Sequence, residues 1–173
     1  MKQIIIGVLL FTGIASGYSV KAQEITEVKS VNQPAYKMAI GIRLSSAPAM
    51  VNNSVSFKYF MNKRTAIEAL VSFGDPLSFG ALVEFHNPLS TSGLQWFYGA
   101  GGYLGFGKEY NAVKKIEERK TYFGGQGVVG LDYKFEHIPL NLSLDWKPEL
   151  NFVQDINFEP AALGFTARFT FGH

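Results

Sequence analysis

The chain has 173 residues, a formal net charge of +2, 47% hydrophobic and 14% aromatic residues, 18 glycines and no cysteine. That length bounds it to one domain, and the balanced charge points away from nucleic acid. Without cysteine it has no lipidated cysteine, disulfide framework or thiolate metal site.

Lys2 supplies a positive start, Ile4–Ile14 an apolar run and Val20-Lys21-Ala22 a small-residue cleavage pattern before Gln23. Residues 1–22 therefore read as a cleaved secretory signal, the run being shorter than the roughly 20 residues of a spanning helix. Residues 23–35 are polar and read as a flexible lead-in; residues 36–173 form the folded domain. Beyond residue 35 no stretch is apolar enough for a transmembrane helix, and a membrane protein without one must be a closed barrel.

From Tyr36 the pattern has period two. Tyr36, Met38, Ile40, Ile42 and Leu44 alternate with Lys37, Ala39, Gly41, Arg43 and Ser45, until Ser46–Asn53 breaks the first strand. The second, Ser54–Met61, sets Val55, Phe57 and Tyr59 against Ser56, Lys58 and Phe60, and Asn62-Lys63-Arg64 turns the chain. The third sets Ile67, Ala69 and Val71 against Glu68, Leu70 and Ser72; after Gly74-Asp75-Pro76 the fourth sets Phe79, Val83 and Phe85 against Gly80, Glu84 and His86. Asn87–Gly93 reads as a loop, since it is rich in breakers. The fifth strand, Leu94–Phe106, turns Trp96, Tyr98 and Leu104 one way and Phe97 and Tyr103 the other. Lys108–Lys120, the densest charge in the chain, reads as a solvated loop. The sixth strand, Phe123–Phe135, carries Val129, Leu131 and Tyr133 opposite Gln126, Asp132 and Lys134; the seventh carries Leu140, Leu142, Leu144 and Trp146 opposite Asn141, Ser143 and Asp145. Pro148–Pro160 reads as a long loop, with Leu150–Val153 able to extend the strand before it. The closing strand, Leu163–Phe171, alternates Leu163, Phe165, Ala167, Phe169 and Phe171 with Gly164, Thr166, Arg168 and Thr170.

Eight such segments predict an all-β fold, an eight-stranded antiparallel up-and-down transmembrane β-barrel with an apolar outer face. With both termini on the periplasmic side, the aromatics sort into two girdles, one at each interface. A soluble barrel would instead turn the aromatics in and the polar face out.

The closing strand resembles the C-terminal insertion signal of bacterial outer-membrane barrels, carried by Gly164, Phe169 and Phe171, and departs from it at Ala167 and Gly172-His173. Residues 36–171 together resemble a small outer-membrane barrel of the OmpA/OmpX type. The resemblance implies location in the outer membrane, contact with its lipids and lipopolysaccharide, and insertion through the barrel assembly machinery and periplasmic chaperones.

Ten charged residues fall on the predicted inner face: Lys37, Arg43, Lys58, Lys134, Lys147 and Arg168, with Glu68, Glu84, Asp132 and Asp145. Side chains just fill so narrow a bore, and buried ions must pair, so this set reads as a structural plug. No nucleophile motif, phosphate-binding loop, cofactor signature or metal-ligand spacing among His86, His137 and His173 is present, and no enzymatic activity is expected. Lys114, Lys115, Arg119 and Lys120 of the outer loop are candidate contacts for lipopolysaccharide phosphates. The reading is a monomeric, non-enzymatic envelope barrel; a narrow channel or a lipid-modifying enzyme is the alternative.

Overall fold

The computed structural model describes residues 36–46, 50–111, 116–153, 156–160 and 162–172. The expected signal (1–22) and lead-in (23–35) lie outside them. The chain forms β1 (Met38–Ser45), β2 (Ser54–Phe60), β3 (Thr65–Ser72), β4 (Leu77–Pro88), β5 (Leu94–Asn111), β6 (Ile116–Lys134), β7 (Leu140–Trp146), β8 (Glu149–Asn151), β9 (Asn157–Glu159) and β10 (Leu163–Phe171). Neighbouring strands pair antiparallel from β1 round to β7, β7 pairs β10, and β10 pairs β1. The result is a closed eight-stranded up-and-down barrel with no free edge along the wall.

Closure carries a stagger. Followed strand to strand from Val55, the register meets β6 at Phe123 in one direction and at Tyr133 in the other, ten residues apart. Such a shear tilts the strands by roughly 35–45° and narrows the bore to side-chain width.

The distribution of polarity is inverted relative to a soluble domain. Ile42 is 61% exposed, Leu144 58% and Phe169 53%, and the outward positions of every stave are similar. Arg43, Lys58, Glu84, Asp132, Lys147 and Arg168 are buried. The interior also holds two apolar clusters, one of Val51, Leu70, Leu82, Phe97, Tyr103 and Val128, the other of Tyr36, Ala39, Phe60 and Ala66.

Several expected boundaries shift. β5 and β6 continue into the predicted loop, pairing Lys108 with Arg119 and Asn111 with Ile116, so most of Lys108–Lys120 is a two-stranded ribbon. Charge alone does not interrupt a ladder, and this stretch has no proline or internal glycine to do so. β4 runs on to Pro88, leaving a turn closed by Leu89 N donating to Leu94 O at 3.0 Å, with Gly93 at φ 77° where a side chain would be strained. Within the predicted long loop, β8 continues β7 along β6 and β9 folds back on β8.

At the mouth beside the β5–β6 hairpin the β1–β2 connection dips inward. Val51 is fully buried, Met50 N donates to Glu149 Oε2 at 2.8 Å, and Ser78 Oγ donates to Met50 O at 2.7 Å.

Candidate functional site: the charged interior and the outer hairpin

Period-two alternation delivers one face of each stave to the lumen. In its inner half, Arg168 (β10) pairs Glu68 (β3) and donates to Ser56 at 2.7 Å, Asn141 at 3.1 Å and Ser143 at 2.9 Å. Ser56 also donates to Glu68 at 2.5 Å. Lys58 (β2) sits 2.8 Å from Glu84 Oε2 and 3.7 Å from Asp132 Oδ1, with its ammonium 4.6 Å from the centre of the Phe97 ring. His86 Nε2 lies 2.9 Å from Glu84 Oε2, and its ring stacks on Phe97. Asp132 accepts from Asn141 at 2.7 Å and from the Tyr36 hydroxyl at 3.3 Å.

Nearer the outer mouth, Arg43 (β1) clasps Asp145 (β7) through Nη2 at 2.5 Å and Nε at 3.3 Å, the two-pronged geometry that suits guanidinium. Lys147 pairs Glu149 and donates to Gln126 Oε1 and Val51 O, each at 3.3 Å. Lys134, at the opposite end, donates to the carbonyls of Phe135 and Ile138 in the β6–β7 turn.

Lys37 is a correction. The chain bends there, Lys37 N donating to both Phe171 O at 3.3 Å and Gly172 O at 3.0 Å. The bend breaks the alternation: Lys37 leaves the lumen for the outside, 5.9 Å from the Tyr59 ring centre, and Tyr36, expected outward, enters it. At the opposite mouth Glu149, which the sequence hides behind Pro148, joins the buried charges beside Lys147. The buried set becomes five cations, Arg43, Lys58, Lys134, Lys147 and Arg168, against five anions, Glu68, Glu84, Asp132, Asp145 and Glu149. Balance matters because an uncompensated ion in this interior costs several kcal/mol, about 3–5 when a partner is removed.

Of the three positions at which the sequence resembles an assembly signal, Phe169 and Phe171 point outward with ring centres 5.4 Å apart. Gly164 faces inward beneath the Arg43 guanidinium, which a β-carbon there would strike. Gly164→Val is expected to destabilise by about 1–3 kcal/mol through overpacking. Gly127→Ala, whose new carbon would find its nearest neighbour at 3.8 Å, should stay within about 0.5 kcal/mol. Urea titration of both variants in lipid vesicles measures the contrast.

On the outer hairpin, Arg119 is exposed, Lys120 is half-buried on the opposite face, and Lys114 and Lys115 lie outside the described residues. His86 is buried in the lumen and His137 is exposed in a turn. Among the described residues no cluster of histidine and carboxylates has the makings of a metal site.

No family model matches the sequence, and no curated protein matches it. Among solved structures the chain is similar to the N-terminal β-barrel domain of Pseudomonas aeruginosa OprF, with a TM-score of 0.56 at 12% identity, covering 80% of this chain and 98% of that one. At that identity the likeness is one of fold, the eight-stranded antiparallel barrel.

Proposed function

We propose that the protein is an outer-membrane β-barrel, non-enzymatic and closed to ions, whose outer rim and hairpin meet the lipids and lipopolysaccharide of the envelope. The observation that carries this reading is the inverted polarity of the wall: large apolar side chains outside, paired charges inside. In water such a surface would be an aggregation site; in lipid it is the stable face. The fold likeness to the OprF domain supports the same location, and the secretory signal and closing strand supply a route through periplasmic chaperones and the barrel assembly machinery. The barrel acts as a monomer.

Two features support a closed bore. The charges neutralise one another across the lumen, and Val51 and Met50 fill the outer mouth, held by Ser78, Lys147 and Glu149. Planar-bilayer recordings of the refolded protein should therefore give no steady conductance. A reproducible ion-selective current would replace this reading with that of a narrow channel.

A further inference from the structure

We propose that a cleft at the foot of the outer hairpin binds the phosphoryl headgroup of an anionic lipid, whose acyl chain lies along a slot of small residues on the wall below. The inference rests on the outer-membrane reading and names a ligand for that surface.

The cleft has a volume of about 560 Å³ and is lined by Lys108, Arg119 and Lys120, with Phe106 below them and Gly74-Asp75 opposite. Lys108 and Arg119 face each other across the ribbon, one register pair above Gly107 and Lys120. Asp75 Oδ1 accepts from Lys108 N at 3.0 Å and so fixes the β3–β4 connection as the cleft's wall. Gly107 permits that approach, because a β-carbon there would come within 3.0 Å of Asp75 and Pro76.

Lys108 and Arg119 are available to an anion. Lys108 reaches Glu117 at 3.2 Å, but both side chains are more than half exposed, so water screens the pair and a phosphate can compete for the ammonium. Arg119 makes no ion pair or hydrogen bond among the described residues, and a guanidinium suits two phosphoryl oxygens at once.

Position selects a lipid over a free anion. Phe106 and Phe123 stand immediately below on the outer face, at the height where aromatic rings mark an interface. Beneath them Ala81 and Gly102 pair in one register row and Ala100 and Gly127 in the next, a strip of small residues that the Phe152 ring, lying over Gly125, bounds on the β6 side. A cationic cleft over an apolar slot matches an amphiphile with phosphate at one end.

The test begins with refolding into phosphatidylcholine vesicles. The protein is then moved to neutral detergent, and its binding of dimyristoyl phosphatidic acid is titrated against phosphatidylcholine and inorganic phosphate, with bound lipid counted by native mass spectrometry. The wild type should prefer phosphatidic acid, and the double variant Lys108→Gln/Arg119→Gln should bind it about tenfold more weakly at low salt. Lys63→Gln/Arg64→Gln, which removes equal charge from the β2–β3 turn at the other end, should bind as the wild type does. Equal loss in both double variants would reduce the effect to net charge and overturn the cleft. So would displacement of the lipid by inorganic phosphate at matched concentration, the mark of a free-anion site. If the wild type fails to enter the vesicles, the outer-membrane reading falls and the lipid proposal with it. If it enters and both double variants bind alike, only the cleft falls.

Discussion

Asp145→Asn is expected to destabilise the barrel by about 3–5 kcal/mol, the cost of stranding a buried ion. Arg43 is 2% exposed, and among the described residues both of its side-chain hydrogen bonds go to Asp145. Removing the carboxylate charge leaves the guanidinium buried without a counter-ion. Glu68→Gln should cost less, because Arg168 keeps Ser56, Asn141, Ser143 and, at 3.8 Å, Asp132. Replacing both members of the first pair, Arg43→Met with Asp145→Leu, should recover much of the loss, since a well-packed apolar pair is often neutral relative to a buried salt bridge. Urea titrations in vesicles measure all three. Asp145→Asn within about 0.5 kcal/mol of wild type would mean that water reaches this pair, and the bore would no longer read as closed.

Val129→Arg should cost about 2–4 kcal/mol, the range for a cation placed on the lipid face near mid-membrane. Val129 lies outward on β6, beside Trp146 and opposite Tyr98, and is 41% exposed. Val71, between Val55 and Phe79, should respond similarly. On a soluble barrel the same substitutions would place a charge in water and cost little. The sign and size of the change therefore distinguish lipid from solvent at this wall, and neutrality of both variants would remove the orientation assigned to it.

Most of the wall could be read from period two because each outward residue is decided locally, by the side of the pleat on which it sits. Arg43, Lys58, Glu68, Glu84, Asp132, Asp145 and Arg168 reached the lumen for that reason. Local alternation fails where long-range bonds re-aim the chain. Lys37 and Tyr36 exchange faces because β1 begins against the carbonyls of Phe171 and Gly172, some 135 residues later in the chain. Glu149 was hidden by Pro148, which reads as a strand terminator; the strand resumes because Gly127 N finds the Pro148 carbonyl and β8 realigns on β6. Charge density makes the hairpin look like a loop, although backbone pairing depends on donors and acceptors that charged residues also carry. Nothing local announces the inward dip of Met50 and Val51, whose partners are Ser78 on β4, Lys147 after β7 and Glu149 at the start of β8.

The most direct measurement of the central claim is membrane fractionation combined with trypsin added to intact cells. The hairpin carries Lys108, Arg119 and Lys120, and the β2–β3 turn carries Lys63 and Arg64, so the two ends of the barrel each offer cleavage sites. The account predicts sedimentation with the outer membrane, cleavage at the hairpin in intact cells, and cleavage at Lys63-Arg64 only after the periplasm is opened. Recovery as a soluble protein, or cleavage at Lys63-Arg64 from outside with the hairpin protected, would contradict it.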